Sequence, residues 1–236
     1  VDIRDLIAPR RCLACRAVGS DPLCRACAAT LIPIDDDRCL RCGRPTAFVV
    51  ASCRECAGRR LSFRTARAAL VHDDAAAALL RAWKDHGLQD AGRILVDACV
   101  NTLRAPEADA VTHVPAAAHR ARWRGVDPPV AIARCLGEAW GTPVVALLER
   151  VADRPQRGLD RAARRRNAAR SFRVPDAVSG RVLLVDDVYT TGATASACAR
   201  ALRRAGASEV IVVTATRVVA EAGRYPPSAR RWASDG

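Results

Sequence analysis

Asp186 and Asp187 close an apolar run, Arg181-Val182-Leu183-Leu184-Val185, and Val188-Tyr189-Thr190-Thr191-Gly192-Ala193-Thr194 follows them. A buried strand ending in two adjacent carboxylates delivers them where ligands sit in open α/β sheets. The Thr-Thr-Gly-x-Thr turn that opens the next helix offers backbone N–H groups, hydroxyls and the positive end of a helix dipole. Together these cradle one phosphate without a lysine. Carboxylates repel phosphate oxygens, so Asp186 and Asp187 suit ribose hydroxyls or Mg²⁺ instead. P-loop ATPases also place acids after an apolar strand, but they need Gly-x4-Gly-Lys-[Ser/Thr]. The one lysine of this chain stands in Trp83-Lys84-Asp85-His86, so that alternative fails. An acidic pair can also simply cap a strand and a helix; the attached threonine turn favours ligand chemistry.

Eight of the eleven cysteines form four Cys-x2-Cys pairs. Their spacing is Cys12-x2-Cys15-x8-Cys24-x2-Cys27 and then Cys39-x2-Cys42-x10-Cys53-x2-Cys56. Each Cys-x2-Cys turn puts two sulfurs on one side of a metal, and a second turn across a short hairpin completes a tetrahedron. The pattern reads as two structural Zn²⁺ sites in a double zinc ribbon. Iron–sulfur ligation and disulfides are the weaker alternatives. A redox pair is disfavoured because nothing nearby resembles a thioredoxin βαβ unit. Cys99, Cys135 and Cys198 stand among apolar neighbours and read as small buried hydrophobes.

The elements that must hold these groups follow from periodicity. Residues 1–60 are rich in Cys, Arg and turn formers, cannot bury much apolar surface, and need staples. From Leu61 the texture changes. Arg67–Val71 reads as a strand, Asp74–Lys84 and Ala91–Leu103 as helices, Val111–Pro115 as a strand and Pro129–Trp140 as a helix. Val144–Leu148 fits a strand or a helix start. Arg181–Asp186 and Glu209–Thr216 are continuous apolar strands around a helix, Ala193–Arg204. That is a βαβ unit of a buried parallel sheet. The expected organisation is a ribbon module at 1–60, an α/β domain at 61–220 and an irregular tail at 221–236.

The chain has 236 residues, 50% of them hydrophobic, enough for one medium domain and a small module. Its formal charge is +13, carried by arginine with Lys84 as the single lysine. Residues 10–60 hold ten Arg and five acids. Eight thiolates and two Zn²⁺ bring that local +5 down to +1 and the chain to +9, so the basic surface belongs mostly to the second domain. Arg150–Arg173 alone carries nine Arg against two Asp. That stretch fits a mobile lid, a nucleic-acid patch or a solvated face equally well. No apolar run approaches the ~18 residues of a membrane span. Val1-Asp2-Ile3-Arg4-Asp5 lacks the hydrophobic region of a secretory signal. With unpaired-looking cysteines this leads to the expectation of a reducing, cytoplasmic setting.

The segment 181–194 resembles the phosphoribosyl pyrophosphate (PRPP) signature of type I phosphoribosyltransferases. With the cysteine ribbons ahead of it, residues 6–217 resemble the ComF family, phosphoribosyltransferase-like proteins associated with competence and DNA uptake. Trp83-Lys84-Asp85-His86-Gly87 is similar to the family's lysine-bearing helix end. His113-Val114-Pro115 with Arg120, Arg122, Arg124 and Gly125 is similar to its strand and basic loop. Gln156, Gly158-Leu159, Arg161, Arg166-Asn167 and Phe172 are similar to its later basic segment. The family commonly continues Arg-Gly with Phe-Asn-Gln, where this chain has Val126-Asp127-Pro128. An amide pair has become an acid and a proline, which changes donor and acceptor capacity.

The resemblance implies a type I phosphoribosyltransferase-like parallel sheet flanked by helices. It implies a 5′-phosphate on Thr190, Thr191, Gly192, Ala193 and Thr194. Asp186 and Asp187 would face the ribose and the developing charge at its C1, with Mg²⁺ bridging ribose and pyrophosphate. Arg120 and Arg124 would contact pyrophosphate, and Lys84 the phosphates. His113 reads as a packed core residue. The function implied is transfer of a phosphoribosyl group to an acceptor. The alternative is a non-catalytic binding protein of the same fold that handles single-stranded DNA or meets DNA-uptake partners. Aromatic residues make up only 4% of the chain, which weakens a base-stacking platform.

Overall fold

The computed structural model describes residues 9–116, 126–151 and 171–219. Four strands make one parallel sheet: β1 (Thr65–Val71), β2 (Ala110–His113), β5 (Arg181–Tyr189) and β6 (Glu209–Arg217), in the order β1-β6-β5-β2. Alternation along the two central strands divides the core. Leu183, Val185, Ile211, Val213 and Ala215 face one layer, and Val182, Leu184, Val210 and Val212 face the other. A sheet covered on both faces needs such unbroken apolar strands.

The first layer contains α2 (Asp74–His86), α3 (Gln89–Thr102) and α4 (Pro128–Trp140). Asp73 caps α2, its carboxylate accepting from the Ala76 N–H at 2.8 Å. Gly87 ends that helix in the left-handed conformation, φ +66°. Trp83 is buried over Gly92, the small residue that lets α3 approach α2. Prolines 128 and 129 start α4, where their missing N–H groups cost nothing. The second layer contains α5 (Ala193–Arg204), with Cys198, Ala199 and Leu202 against the sheet.

The cysteine-rich segment straddles the β1 edge. Its first half includes a helical turn, α1 (Arg25–Ala28), and packs Leu13, Ala14, Leu23 and Leu31 on the three-helix layer. The link between the halves runs antiparallel to β1. The Val71 N–H donates to Ile32 O at 2.8 Å and the Ile34 N–H to Ala69 O at 2.9 Å, which closes an otherwise open sheet edge. The second half places Cys39, Cys42, Cys56, Leu61 and Phe63 in the α5 layer. This is the architecture expected: a parallel sheet flanked by helices, preceded by a cysteine-rich double ribbon.

The structure differs from expectation in three places. β5 does not stop at Asp186 but continues to Tyr189, because β6 keeps pairing to it, Val188 opposite Thr216 and Tyr189 opposite Arg217. Val144 makes one parallel bridge to Val111 rather than a strand or a helix. The ends of the arginine-rich stretch meet as a two-residue antiparallel ladder, β3 (Glu149–Arg150) with β4 (Phe172–Arg173). Residues 152–170, Arg120, Arg124 and the tail 221–236 lie outside the described residues. Among the described residues, no helix is long and apolar enough to cross a membrane.

Candidate functional site

The carboxyl-terminal part of β5 carries the acidic pair into a polar cluster. Asp186 and Asp187 are both partly buried, and the Asp187 N–H donates to Asp186 Oδ1 at 2.9 Å. Burial, then the neighbouring Asp187 carboxylate, push the Asp186 carboxyl well above the usual range. Lys84, near the end of α2, forms an ion pair with Asp187 Oδ2; their side chains are 23% and 15% exposed. The lone lysine therefore reaches the acidic pair in this structure, as its cation lowers the cost of two adjacent carboxylates.

Behind the pair, the Thr216 hydroxyl donates to Asp187 O at 3.5 Å and meets His72 Nδ1 at 2.9 Å. Burial, then the nearby Lys84 charge, hold His72 below its ordinary pKa, which favours the neutral ring. His113 ends β2 opposite Val185, and its Nδ1 is buried with no hydrogen-bond partner among the described residues.

The turn that follows has the exposed residues Thr190 and Thr191, then buried Gly192 at φ +71°, ψ 12°. Gly192 is the cap of α5: its carbonyl accepts from the Ser196 N–H at 2.9 Å. The Ala193 N–H is directed at Thr191 Oγ1, 3.4 Å away. Exposed Ala193 and Thr194 complete the first turn. A small pocket is lined by Asp186, Val188, Thr190, Gly192, Thr194 and Thr214, among others. The structure thus brings Asp186, Asp187, Lys84 and the 190–194 turn to one end of the sheet. Thr190, Thr191 and Thr194 are exposed there, and a helix start beside such hydroxyls suits an anion.

The eight ribbon cysteines form two groups, Cys12/Cys15/Cys24/Cys27 and Cys39/Cys42/Cys53/Cys56, with all sulfurs of a group within 4.8 Å of one another. Sulfurs at the corners of a tetrahedron with Zn–S ≈ 2.3 Å stand ~3.8 Å apart. Here Cys15–Cys24 is 3.7 Å, Cys42–Cys53 3.6 Å, Cys53–Cys56 3.9 Å and Cys39–Cys56 4.0 Å. A disulfide needs ~2.05 Å, and all eleven cysteines are free. The donor sets therefore fit two four-thiolate metal sites. Burial, then its neighbouring thiols, push the Cys27 thiol up to about 12, and a bound cation would favour the thiolate form of all four. Cys99 and Cys198 are buried in the helical layers, as their apolar neighbours imply, and Cys135 is partly buried.

Sequence reasoning missed Tyr189, Arg217, Arg59, His72 and Thr216. Arg217 alone left a trace, a charge closing an apolar strand.

Comparison with known proteins adds two kinds of likeness. Residues 3–57 match the double zinc ribbon domain family. An orotate phosphoribosyltransferase of a Nocardioides species is 34% identical over 89 residues, covering 38% of this chain and 49% of that protein. The chain thus spans about half the length of the curated relative it matches. Among solved structures, the glutamine PRPP amidotransferase from B. subtilis, complexed with ADP and GMP, shares 27% identity over 52% of this chain and 26% of its own, with a TM-score of 0.39. The orotate phosphoribosyltransferase from Aeropyrum pernix shares 20% over 58% and 62%, with a TM-score of 0.35. The chain thus carries a segment that matches a double zinc ribbon and a region similar over 89 residues to an orotate phosphoribosyltransferase.

Proposed function

We propose that this is a PRPP-binding phosphoribosyltransferase-like protein of the ComF type, which transfers a phosphoribosyl group to an acceptor. Residues 1–60 form its ribbon module and 61–220 its transferase fold. One observation carries the reading: the acidic pair and the Thr190–Thr194 turn share the carboxyl end of the central strand, with Lys84 already on Asp187. Similarity to an orotate phosphoribosyltransferase supports the reaction class.

The α5 N–H groups and the hydroxyls of Thr190, Thr191 and Thr194 hold the 5′-phosphate. Asp186 and Asp187 then accept hydrogen bonds from the ribose 2′- and 3′-hydroxyls. As pyrophosphate leaves C1, positive charge develops on the sugar ring, and fixed carboxylates below it stabilise that charge. Lys84 has two anionic partners within this scheme, Asp187 and the departing pyrophosphate, and moves between them as the substrate arrives. By the resemblance, Arg120 and Arg124 would contact the pyrophosphate. Carboxylate, ribose and phosphate oxygens are the hard donors Mg²⁺ takes, and with Lys84 compensating Asp187 the ion would be held chiefly by substrate. Bound there, Mg²⁺ supplies charge neutralisation of the leaving pyrophosphate.

Calorimetry tests the assignment. Asp186→Asn with Asp187→Asn should weaken Mg²⁺-PRPP binding, and Thr191→Val should weaken ribose 5-phosphate binding. Each loses at least about tenfold, since a hydrogen bond to a charged group is worth roughly 1.5–3 kcal/mol. Unchanged affinity in both variants rejects the site.

A further inference from the structure

The second four-cysteine knuckle grips the 190–194 turn through contacts that the reading above does not use. Arg217, the last residue of β6, is 1% exposed. Its Nη1 donates to the Cys42 carbonyl at 2.7 Å, and its Nη2 pairs with Glu55 Oε2 at 2.7 Å. The same Nη2 lies 3.5 Å from Cys42 Sγ. The guanidinium also covers the Tyr189 ring, 4.3 Å from its centroid. Tyr189 precedes Thr190, and its carbonyl accepts from the Val218 N–H at 2.9 Å.

Tyr189 in turn sets the glycine. Its ring is buried, its hydroxyl has no hydrogen-bond partner among the described residues, and a Cβ on Gly192 would fall 2.5 Å from Tyr189 Cζ. Phe63 packs edge-on against that ring at 6.3 Å and 81°. Arg59, three residues beyond Cys56, donates to the Thr191 carbonyl. The Ser62 N–H donates to Ser196 Oγ in the first turn of α5 at 3.1 Å. Among the described residues, no hydrogen bond or ion pair joins Cys12, Cys15, Cys24 or Cys27 to residues 186–196. The two ribbons therefore differ: the first packs on the three-helix layer, and the second lies in the α5 layer, beside the turn.

We infer that the Cys39/Cys42/Cys53/Cys56 knuckle is part of the ribose 5-phosphate site, with Arg59 and Arg217 as positioning residues that set the pitch of the Thr190–Gly192 turn. This rests on the reading that the turn binds a sugar 5′-phosphate. A guanidinium that fixes a loop carbonyl turns the neighbouring N–H groups outward, and preorganised donors cost no rearrangement when the anion arrives. Phosphate affinity consequently depends on the second metal site more than on the first.

The test uses full-length, zinc-loaded protein. Amide exchange at 190–196, ribose 5-phosphate affinity and zinc content are measured for wild type, Arg59→Ala, Arg217→Met, Arg217→Lys, Cys53→Ser and Cys15→Ser. Arg59→Ala and Arg217→Met should keep two zinc ions yet speed exchange at the turn and weaken binding about tenfold, the worth of one charge-assisted hydrogen bond. Arg217→Lys should restore part of both, since it keeps a cation beside Glu55. Cys53→Ser should weaken binding more than Cys15→Ser does. Wild-type exchange and affinity in both arginine variants overturn the inference, as does Cys15→Ser matching Cys53→Ser. If Cys53→Ser fails to fold, the arginine variants decide alone. A wild type that binds no ribose 5-phosphate sinks the functional reading, while exchange at the turn still decides the bracing.

Discussion

Gly192→Ala should damage the protein by a predictable amount. Two costs combine at this position. At φ +71° an L-residue sits in the left-handed region, which costs roughly 1–2 kcal/mol. The new methyl would also stand 2.5 Å from Tyr189 Cζ and 2.9 Å from Cε2. The ring cannot retreat, because Arg217 covers one side at 4.3 Å and Phe63 meets it at 6.3 Å. Overpacking of this kind costs typically ~1–3 kcal/mol. The total, about 2–5 kcal/mol, appears either in global stability or, if the turn opens to escape, as lost phosphate affinity. Urea unfolding with and without ribose 5-phosphate separates these outcomes. A Tyr189→Leu background separates the two causes. There the steric part falls away and the torsional part stays, giving a coupling of ~1–3 kcal/mol between the sites. An equal cost of Gly192→Ala in both backgrounds, or a Gly192→Ala protein with wild-type stability and affinity, would refute the reasoning.

Three further outcomes follow from the same geometry. Elemental analysis should give about two zinc per chain, and strong chelation should unfold the ribbon, since a core this small depends on metal; a folded, metal-free ribbon contradicts the four-thiolate sites. Asp186→Asn should raise the melting temperature of the ligand-free protein at neutral pH. Folding raises the Asp186 pKa, so stability falls as pH rises from the unfolded value toward the folded one, and the amide removes that loss. Each 1 kcal/mol relieved appears as ~2–4 °C, and a lower melting temperature would mean the pair is not strained. Lys84→Met removes a cation that lowers the Asp186 pKa. The acid limb of Mg²⁺-PRPP binding against pH should then move to higher pH, and an unmoved limb would separate Lys84 from the pair.

Much of this was legible because the relevant signals are local. Continuous apolar runs marked β5 and β6, the apolar spacing of Leu79, Leu80 and Trp83 marked α2, and four Cys-x2-Cys turns specified two tetrahedral groups. The acidic pair with its threonine turn lay within nine consecutive residues. What stayed hidden depends on contacts distant in the chain. Arg217 and Cys42 are 175 positions apart, and Arg59 and Thr191 are 132 apart. No periodicity reports such pairs. The strand end was misjudged for the same reason: two acids look like a terminus until β6 continues beside them. Lys84 stood out by its rarity and its resemblance to the family's lysine-bearing helix end, and only the folded arrangement gives it Asp187.

The most direct measurement is calorimetric titration of the zinc-loaded protein with PRPP, with and without Mg²⁺. The account predicts one saturable site per chain, tighter with Mg²⁺, competed by ribose 5-phosphate and lost in the Asp186→Asn, Asp187→Asn double variant. Absence of PRPP binding in either condition, or binding that the double variant retains in full, would contradict it.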